Sequence, residues 1–190
     1  MRIISGAFKG RRLQTHAELS LRPTSDRTRE AIFNILSSSL ESFDGIRVLD
    51  LFAGTGALGI EALSRGAGTA TFVEHDKQAL TVLQHNVASI AAPEQYKIIS
   101  ASVASAISLL QKQGTQFDLI FMDPPYGKNL VHTTLEALAQ TTLFTRQAMI
   151  VCEHFNRDHL LEHYGLLCRY DTRRYGQTCV SFFNVADRTA

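Results

Sequence analysis

Short apolar runs alternate with longer amphipathic stretches through most of this chain. Runs at 47–51, 69–73, 96–99, 117–122 and 148–152 have the length and the Val, Ile, Leu and Phe content of buried strands. Between them, 57–65, 77–90, 103–112 and 131–139 carry apolar residues at helical spacing, and Gly66 supplies a C-terminal stop for the first. Repeated strand–helix units predict a parallel sheet with helices on both faces. Both ends of the chain depart from that rhythm. Residues 1–13 alternate weakly around Gly6 and Gly10 and read as a small hairpin, and 16–24 reads as an irregular loop containing Arg22-Pro23. Residues 25–40 read as a helix: Thr24 or Ser25 caps it, Asp26 suits its positive end, and Ile32, Phe33, Leu36 and Leu40 share one face. At the other end, 166–174 and 178–184, joined through Tyr175-Gly176-Gln177, read as an antiparallel hairpin. The expected fold is therefore α/β and mostly parallel, finished by an antiparallel strand. Residues 1–45 form an arm and helix of the same domain, and 46–190 form the core.

A length of 190 residues suits one domain, burying roughly 70% of its unfolded surface. No apolar run approaches the ~20 residues of a membrane span. Ile3-Ile4 is too short for a signal-peptide core, so a cytoplasmic protein is expected. Cys152, Cys168 and Cys179 are odd in number and lack metal-type spacing, which suits reduced structural thiols. His159 and His163 stand four apart, a spacing that can ligate metal on a helix. No acidic or sulfur ligand is suitably placed, and Arg157, Asp158 and Glu162 read as an exposed helix, so no metal is expected. Net charge is only +1, but its distribution changes the picture. Residues 1–29 hold seven basic residues (Arg2, Lys9, Arg11, Arg12, Arg22, Arg27 and Arg29) against Glu18 and Asp26, a surplus of +5 over a body of −4. Such an arm is either a polyanion contact or a solvated surface.

Two loops carry candidate chemistry. Asp123-Pro124-Pro125-Tyr126 follows the apolar run 117–122, so it sits at a strand's carboxyl end, where open α/β sheets place ligands. Consecutive prolines stiffen the loop and remove N–H donors, leaving carbonyl acceptors beside a carboxylate and an aromatic ring. That set suits a planar amine on a heteroaromatic ring: its N–H groups meet acceptors and its ring stacks on Tyr126. Asp-Pro is also a common turn starter. The second loop, 50–59, contains Gly-x-Gly-x-x-Gly at Gly54, Gly56 and Gly59, with Glu74 twenty residues after Gly54. Glycines let the backbone lie against a ligand, and the acid can bind ribose hydroxyls. An NAD enzyme would share this spacing. Asp50 favours S-adenosylmethionine instead, because a carboxylate would repel a pyrophosphate but suits an ammonium and a sulfonium. Glu74-His75-Asp76 also begins a helix, where acids favour the N-terminus regardless of ligand.

Together these loops resemble those of class I S-adenosylmethionine-dependent methyltransferases acting on exocyclic or amide nitrogens. The likeness narrows through Met1-Arg2-Ile3-Ile4-Ser5-Gly6, Lys9-Gly10-Arg11-Arg12-Leu13, Arg22-Pro23-Thr24-Ser25-Asp26-Arg27, Arg29-Glu30, Asp50–Gly54, Gly59-x-Glu61-Ala62-Leu63-Ser64-Arg65-Gly66 and Tyr175-Gly176-x-Thr178. With these segments the chain resembles the bacterial 16S rRNA guanine-N2 methyltransferase family of RsmD type, over nearly its whole length. The resemblance implies a Rossmann-like sheet, S-adenosylmethionine as cofactor, and 16S rRNA or a small-subunit assembly intermediate as partner. It implies amine orientation by Asp123, Pro124, Pro125 and Tyr126. Cofactor contacts fall to Asp50, Phe52, Gly54, Gly56, Glu74, His75, Ser102, Val103 and Asp123. RNA contacts fall to Lys9, Arg11, Arg12, Arg22, Arg27 and Arg29. Relatives often carry Asp or Asn after the third strand to read adenine; here Ser100-Ala101-Ser102-Val103 stands there, and Ser102 or a backbone group takes that part. Alternatives are a DNA adenine-N6 or protein glutamine-N5 methyltransferase, an NAD-dependent oxidoreductase, and a non-catalytic RNA-binding module.

Overall fold

Strands and helices alternate from residue 47 to residue 155, and strands alone follow, in a computed structural model that describes residues 1–15, 26–125 and 129–186. In chain order the elements are α1 (Asp26–Ser39), β1 (Arg47–Leu51), α2 (Ala57–Ser64), β2 (Thr69–Glu74), α3 (Lys77–Ala88), β3 (Tyr96–Ser100), α4 (Val103–Lys112), β4 (Phe117–Met122), α5 (Leu130–Ala139), β5 (Phe144–Phe155), β6 (His163–Tyr164), β7 (Leu167–Tyr175) and β8 (Thr178–Val185). The strands form one sheet in the order β3-β2-β1-β4-β5-β8-β7-β6. The first five run parallel, and β8, β7 and β6 complete the sheet antiparallel.

Helices cover both faces of the parallel part, which is why its strands read as near-continuous apolar runs. On one face, Val48, Phe72, Leu119, Phe121, Val151 and Phe182 pack with α1 (Ile32, Phe33, Leu36), α2 and α3. On the other, Leu49, Leu51, Ile120, Met122 and Ile150 pack with α4 and α5. Asp76 caps α3 by accepting from the Gln78 and Ala79 N–H groups at 3.0 and 2.9 Å.

The expected hairpin at the N-terminus forms, with Arg2 and Arg12 bridged antiparallel and the Gly10 N–H donating to the Ile3 carbonyl at 2.9 Å. It docks on α2 and α3. A side chain at Gly6 would meet the Ser64 carbonyl at 1.7 Å, so only glycine allows this approach. The Phe8 N–H donates to Ser64 Oγ at 3.0 Å, and the Arg11 guanidinium reaches the Ser89 carbonyl at 2.6 Å. Ser64 and Ser89 stand at the C-terminal ends of their helices.

Two expectations change. β5 runs from 144 to 155 rather than 148–152, because antiparallel pairing with β8 extends it through Glu153, His154 and Phe155. The exposed helix around His159 and His163 does not form. His163 lies in β6 opposite Cys168, and Leu160 beside it is buried, so the two histidines share no helical face. No three His, Cys, Asp or Glu gather as metal ligands among the described residues, and no helix there is long and apolar enough to cross a membrane.

Candidate active site

β1 and β4 are neighbours at the centre of the sheet, and the chain order reverses between them: β2 and β3 lie on one side, β5 on the other. Ligands of open α/β sheets bind at such a switch point. Asp50 pairs with Phe121 and Leu51 with Met122. Loop 52–56 therefore starts directly beside loop 123–125, one strand spacing away, about 4.8 Å.

The glycine loop is a turn under backbone constraint. Gly54 and Gly56 have φ of 56° and 85°, and so does a bulky residue, Phe52, at 64°. A left-handed phenylalanine is an outlier that persists only where its surroundings impose it. Here they do. Glu74 Oε2 accepts the Gly54 N–H at 2.8 Å, Asn86 Nδ2 donates to the Thr55 carbonyl at 3.0 Å, and the Ala53 N–H donates to the Val73 carbonyl at 2.9 Å. These ties all come from β2 and α3. The outer side of Gly54 is open: among the described residues, its two chain neighbours apart, no atom lies within 4 Å of where a side chain would begin. Glu74 also accepts the His75 and Asp76 N–H groups at 2.7 and 2.8 Å, so one carboxylate, 8% exposed, fixes both loops that border the cleft.

Asp50 is buried behind the loop, and its Oδ2 takes the Gly59 N–H in the first turn of α2 at 2.9 Å. A side chain at Gly59 would begin 2.4 Å from the Phe72 ring, so glycine is required for α2 to lie this close to the sheet. Burial pushes the Asp50 carboxyl up to about 7; the Gly59 N–H works against this, and the charges of Asp123 and Glu74 add to it. The acid thus lies behind the glycine loop, against the first turn of α2.

Asp123 is half-buried at the mouth, Pro124 is buried and Pro125 exposed, while Tyr126 lies outside the described residues. Of the other expected cofactor contacts, His75 is exposed with Nδ1 3.3 Å from Glu74 Oε1, and Val103 is half-buried at the start of α4. Ser102 Oγ is engaged in capping α4, accepting from the Ser105 N–H at 3.3 Å and pairing with Ser105 Oγ at 2.9 Å.

The expected RNA contacts separate. Lys9, Arg11, Arg12 and Arg27 are exposed, and Arg22 lies outside the described residues. Arg29 does not fit the expectation: it is 1% exposed, bonded to the Arg2 carbonyl and to Asp26 at 3.1 Å, with Glu61 4.0 Å from its Nε. A guanidinium enclosed this way anchors the arm and reaches no phosphate. Lys9 and Arg11 sit near the C-terminal ends of α2 and α3, where cations complement the dipole. Arg11 lies at the same end of α3 as Asn86, whose side chain reaches the Thr55 carbonyl of the glycine loop at 3.0 Å.

Two residues that carry this arrangement had no assigned part. Glu61, 1% exposed, accepts the Ile4 and Ser5 N–H groups at 2.7 and 3.0 Å and pairs with Arg65 at 2.9 Å. Asn86, also 1% exposed, accepts from the Gln14 N–H at 2.8 Å and donates to the Gln14 and Thr55 carbonyls at 3.0 Å, tying the arm to the glycine loop. Each is a polar residue within an apolar helix face, beside Ile60 and Ala62 or Leu83 and Val87, and that is the signal that marks it in the sequence.

A family described as conserved hypothetical protein 95 matches residues 1–184. YlbH of Bacillus subtilis (strain 168) is 37% identical over 183 residues, covering 96% of this chain and 98% of its own length. A protein of Escherichia coli (strain K12) named ribosomal RNA small subunit methyltransferase D is 37% identical over 153 residues, 80% of this chain and 74% of its own. The solved structure of yhhF from Escherichia coli superposes with a TM-score of 0.86 at 31% identity, over 99% of both chains.

Proposed function

We propose that this chain, which belongs to the conserved hypothetical protein 95 family and is an RsmD-type methyltransferase, methylates the exocyclic N2 of a guanine in 16S ribosomal RNA. Its substrate class is ribosomal RNA and its methyl donor is S-adenosylmethionine. The observation that carries the reading is the placement of Asp123 beside the glycine loop at the switch point between β1 and β4.

The donor set fits that cofactor. Gly54 presents an open backbone face, and the Glu74 carboxylate beside it retains lone pairs for ribose hydroxyls. A pyrophosphate at the start of α2 would instead meet Asp50, which already takes the Gly59 N–H. S-adenosylmethionine supplies a sulfonium methyl activated for in-line displacement. The chain's residues then position the acceptor. The guanine N2 lone pair is delocalised into the ring; Asp123 accepts one N2–H and a carbonyl of Pro124 or Pro125 accepts the other, drawing the nitrogen towards tetrahedral geometry. Tyr126 stacks on a base that has left its helix. Orientation of this kind supplies most of the acceleration when the electrophile is already activated. The exposed arm cations contact phosphates of the same RNA.

The test is to map modified nucleotides in small-subunit RNA from cells lacking this protein, then restore them in vitro. Loss and recovery of one N2-methylguanine supports the reading; a changed adenine, or no change, overturns it. On the cofactor side, Glu74→Ala removes the acceptor for three backbone N–H groups as well as the ribose contact. It weakens S-adenosylmethionine binding by about 1.5–3 kcal/mol, read by calorimetry. Unchanged affinity would place the ribose elsewhere.

A further inference from the structure

We infer that the sheet end formed by the close of β5 and the β7–β8 turn is a phosphate-binding surface for the RNA carrying the target base, with Arg157, Arg173 and Arg174 as its cations. The inference rests on the RNA methyltransferase reading.

Register places this surface beside the reacting group. Met122 pairs with Cys152, so Asp123 and Glu153 follow side by side; Glu153 pairs with Val180, and Val180 with Arg173. Paired residues share a face, so one row of side chains runs from Asp123 to Arg173 across β4, β5, β8 and β7, about 14 Å at the usual strand spacing. The next row holds Phe155, Thr178 and Tyr175.

The turn is built rigidly. Gly176 has φ of 65°, and its carbonyl accepts from Arg174 Nε at 3.0 Å and Asn156 Nδ2 at 3.4 Å, while the Asn156 N–H donates to the Gln177 carbonyl at 2.9 Å. Arg157 lies with its guanidinium 5.6 Å from the Phe155 ring centroid. Both Arg157 and Arg174 are exposed, and no ion pair among the described residues engages either. Arg173, 58% exposed at its side chain, gives only Nε to Asp171, which leaves the ends of its fork for an anion. The neighbouring Asp158 accepts the Phe155 N–H at 3.0 Å.

The experiment measures affinity of the full-length protein for a small-subunit RNA fragment against salt, for wild type, Arg157→Gln/Arg173→Gln and Arg11→Ala/Arg12→Ala. Affinity for S-adenosylhomocysteine is the control. Neither Arg157 nor Arg173 holds a backbone group, and the single change Arg157→Glu provides a second variant. The expected result is a salt slope flatter by about 1.4–1.8 units for the pair, at about 0.7–0.9 per phosphate. KM for RNA rises, while kcat at saturating RNA and S-adenosylhomocysteine affinity stay unchanged. A wild-type slope and KM in the pair, with wild type itself binding and methylating the RNA, overturns the surface and leaves the reading standing. A wild type that neither methylates the RNA nor binds it with salt dependence overturns the reading instead.

Discussion

Asp123→Ala lowers turnover on ribosomal RNA by about 10²–10⁴-fold, the range for losing a positioned polar catalytic group. Half-buried at the end of β4, Asp123 follows the strand beside β1, and the proposed function seats the incoming amine there. Its removal takes away the acceptor that orients N2 and leaves Glu74 and the loop in place. Affinity for S-adenosylhomocysteine therefore changes little. The carboxylate has a second electrostatic effect: its charge is one of the influences holding the Asp50 carboxyl up near 7, so the Asp50 value falls in the variant. Single-turnover kinetics with saturating cofactor and RNA separate the two effects. Normal turnover by Asp123→Ala would show that another group orients the amine.

Glu61→Ala destabilises the protein by about 3–5 kcal/mol, the scale for breaking a buried charged cluster from one side. Arg29 and Glu61 are both 1% exposed, and Arg29 Nε and Nη1 have no hydrogen-bond partner among the described residues, so the Glu61 charge offsets the enclosed guanidinium. The same carboxylate accepts the Ile4 and Ser5 N–H groups, so alanine also leaves two arm donors without their acceptor. Glu61→Gln keeps an acceptor and loses the charge, which places it between the two. Chemical denaturation reads the loss, and proteolysis reads whether the arm detaches first. A loss near 1 kcal/mol would mean that the arm is held by its apolar contacts, Ile3 and Leu13, rather than by Glu61.

Local pattern determined a great deal in this protein. β1, β4 and α4 occupy the ranges their apolar spacing predicts, and the other parallel-sheet helices end within two residues of theirs. Burial on both faces makes these segments uniformly apolar, and Gly, Ser and Asp mark their ends, so the signal is short-range. The candidate loops are legible for the same reason: Gly54 and Gly56 lie in the turn between β1 and α2, Asp123 directly follows β4, and a strand's carboxyl end is where a parallel sheet puts its cleft. Charge was less informative. Counting placed Arg29 with the RNA contacts, because composition does not distinguish a guanidinium in solvent from one enclosed by Glu61 and the Arg2 carbonyl.

Only the tertiary structure decided where each cation sits. Lys9 and Arg11 went to the helix C-termini, while Arg157 and Arg173, more than 140 residues further along the chain, came to the end of the sheet that holds Asp123. The 20-residue step from Gly54 to Glu74 is visible as spacing, but the hydrogen bond that closes it depends on β1 and β2 lying side by side. Asn86 joining Gln14 to Thr55 likewise requires an arm, a loop and a helix from three parts of the chain to meet. Periodicity reports what one segment buries. Which groups a buried carboxylate or amide then satisfies depends on partners brought from far along the chain, and those pairings are set by packing, not by sequence spacing.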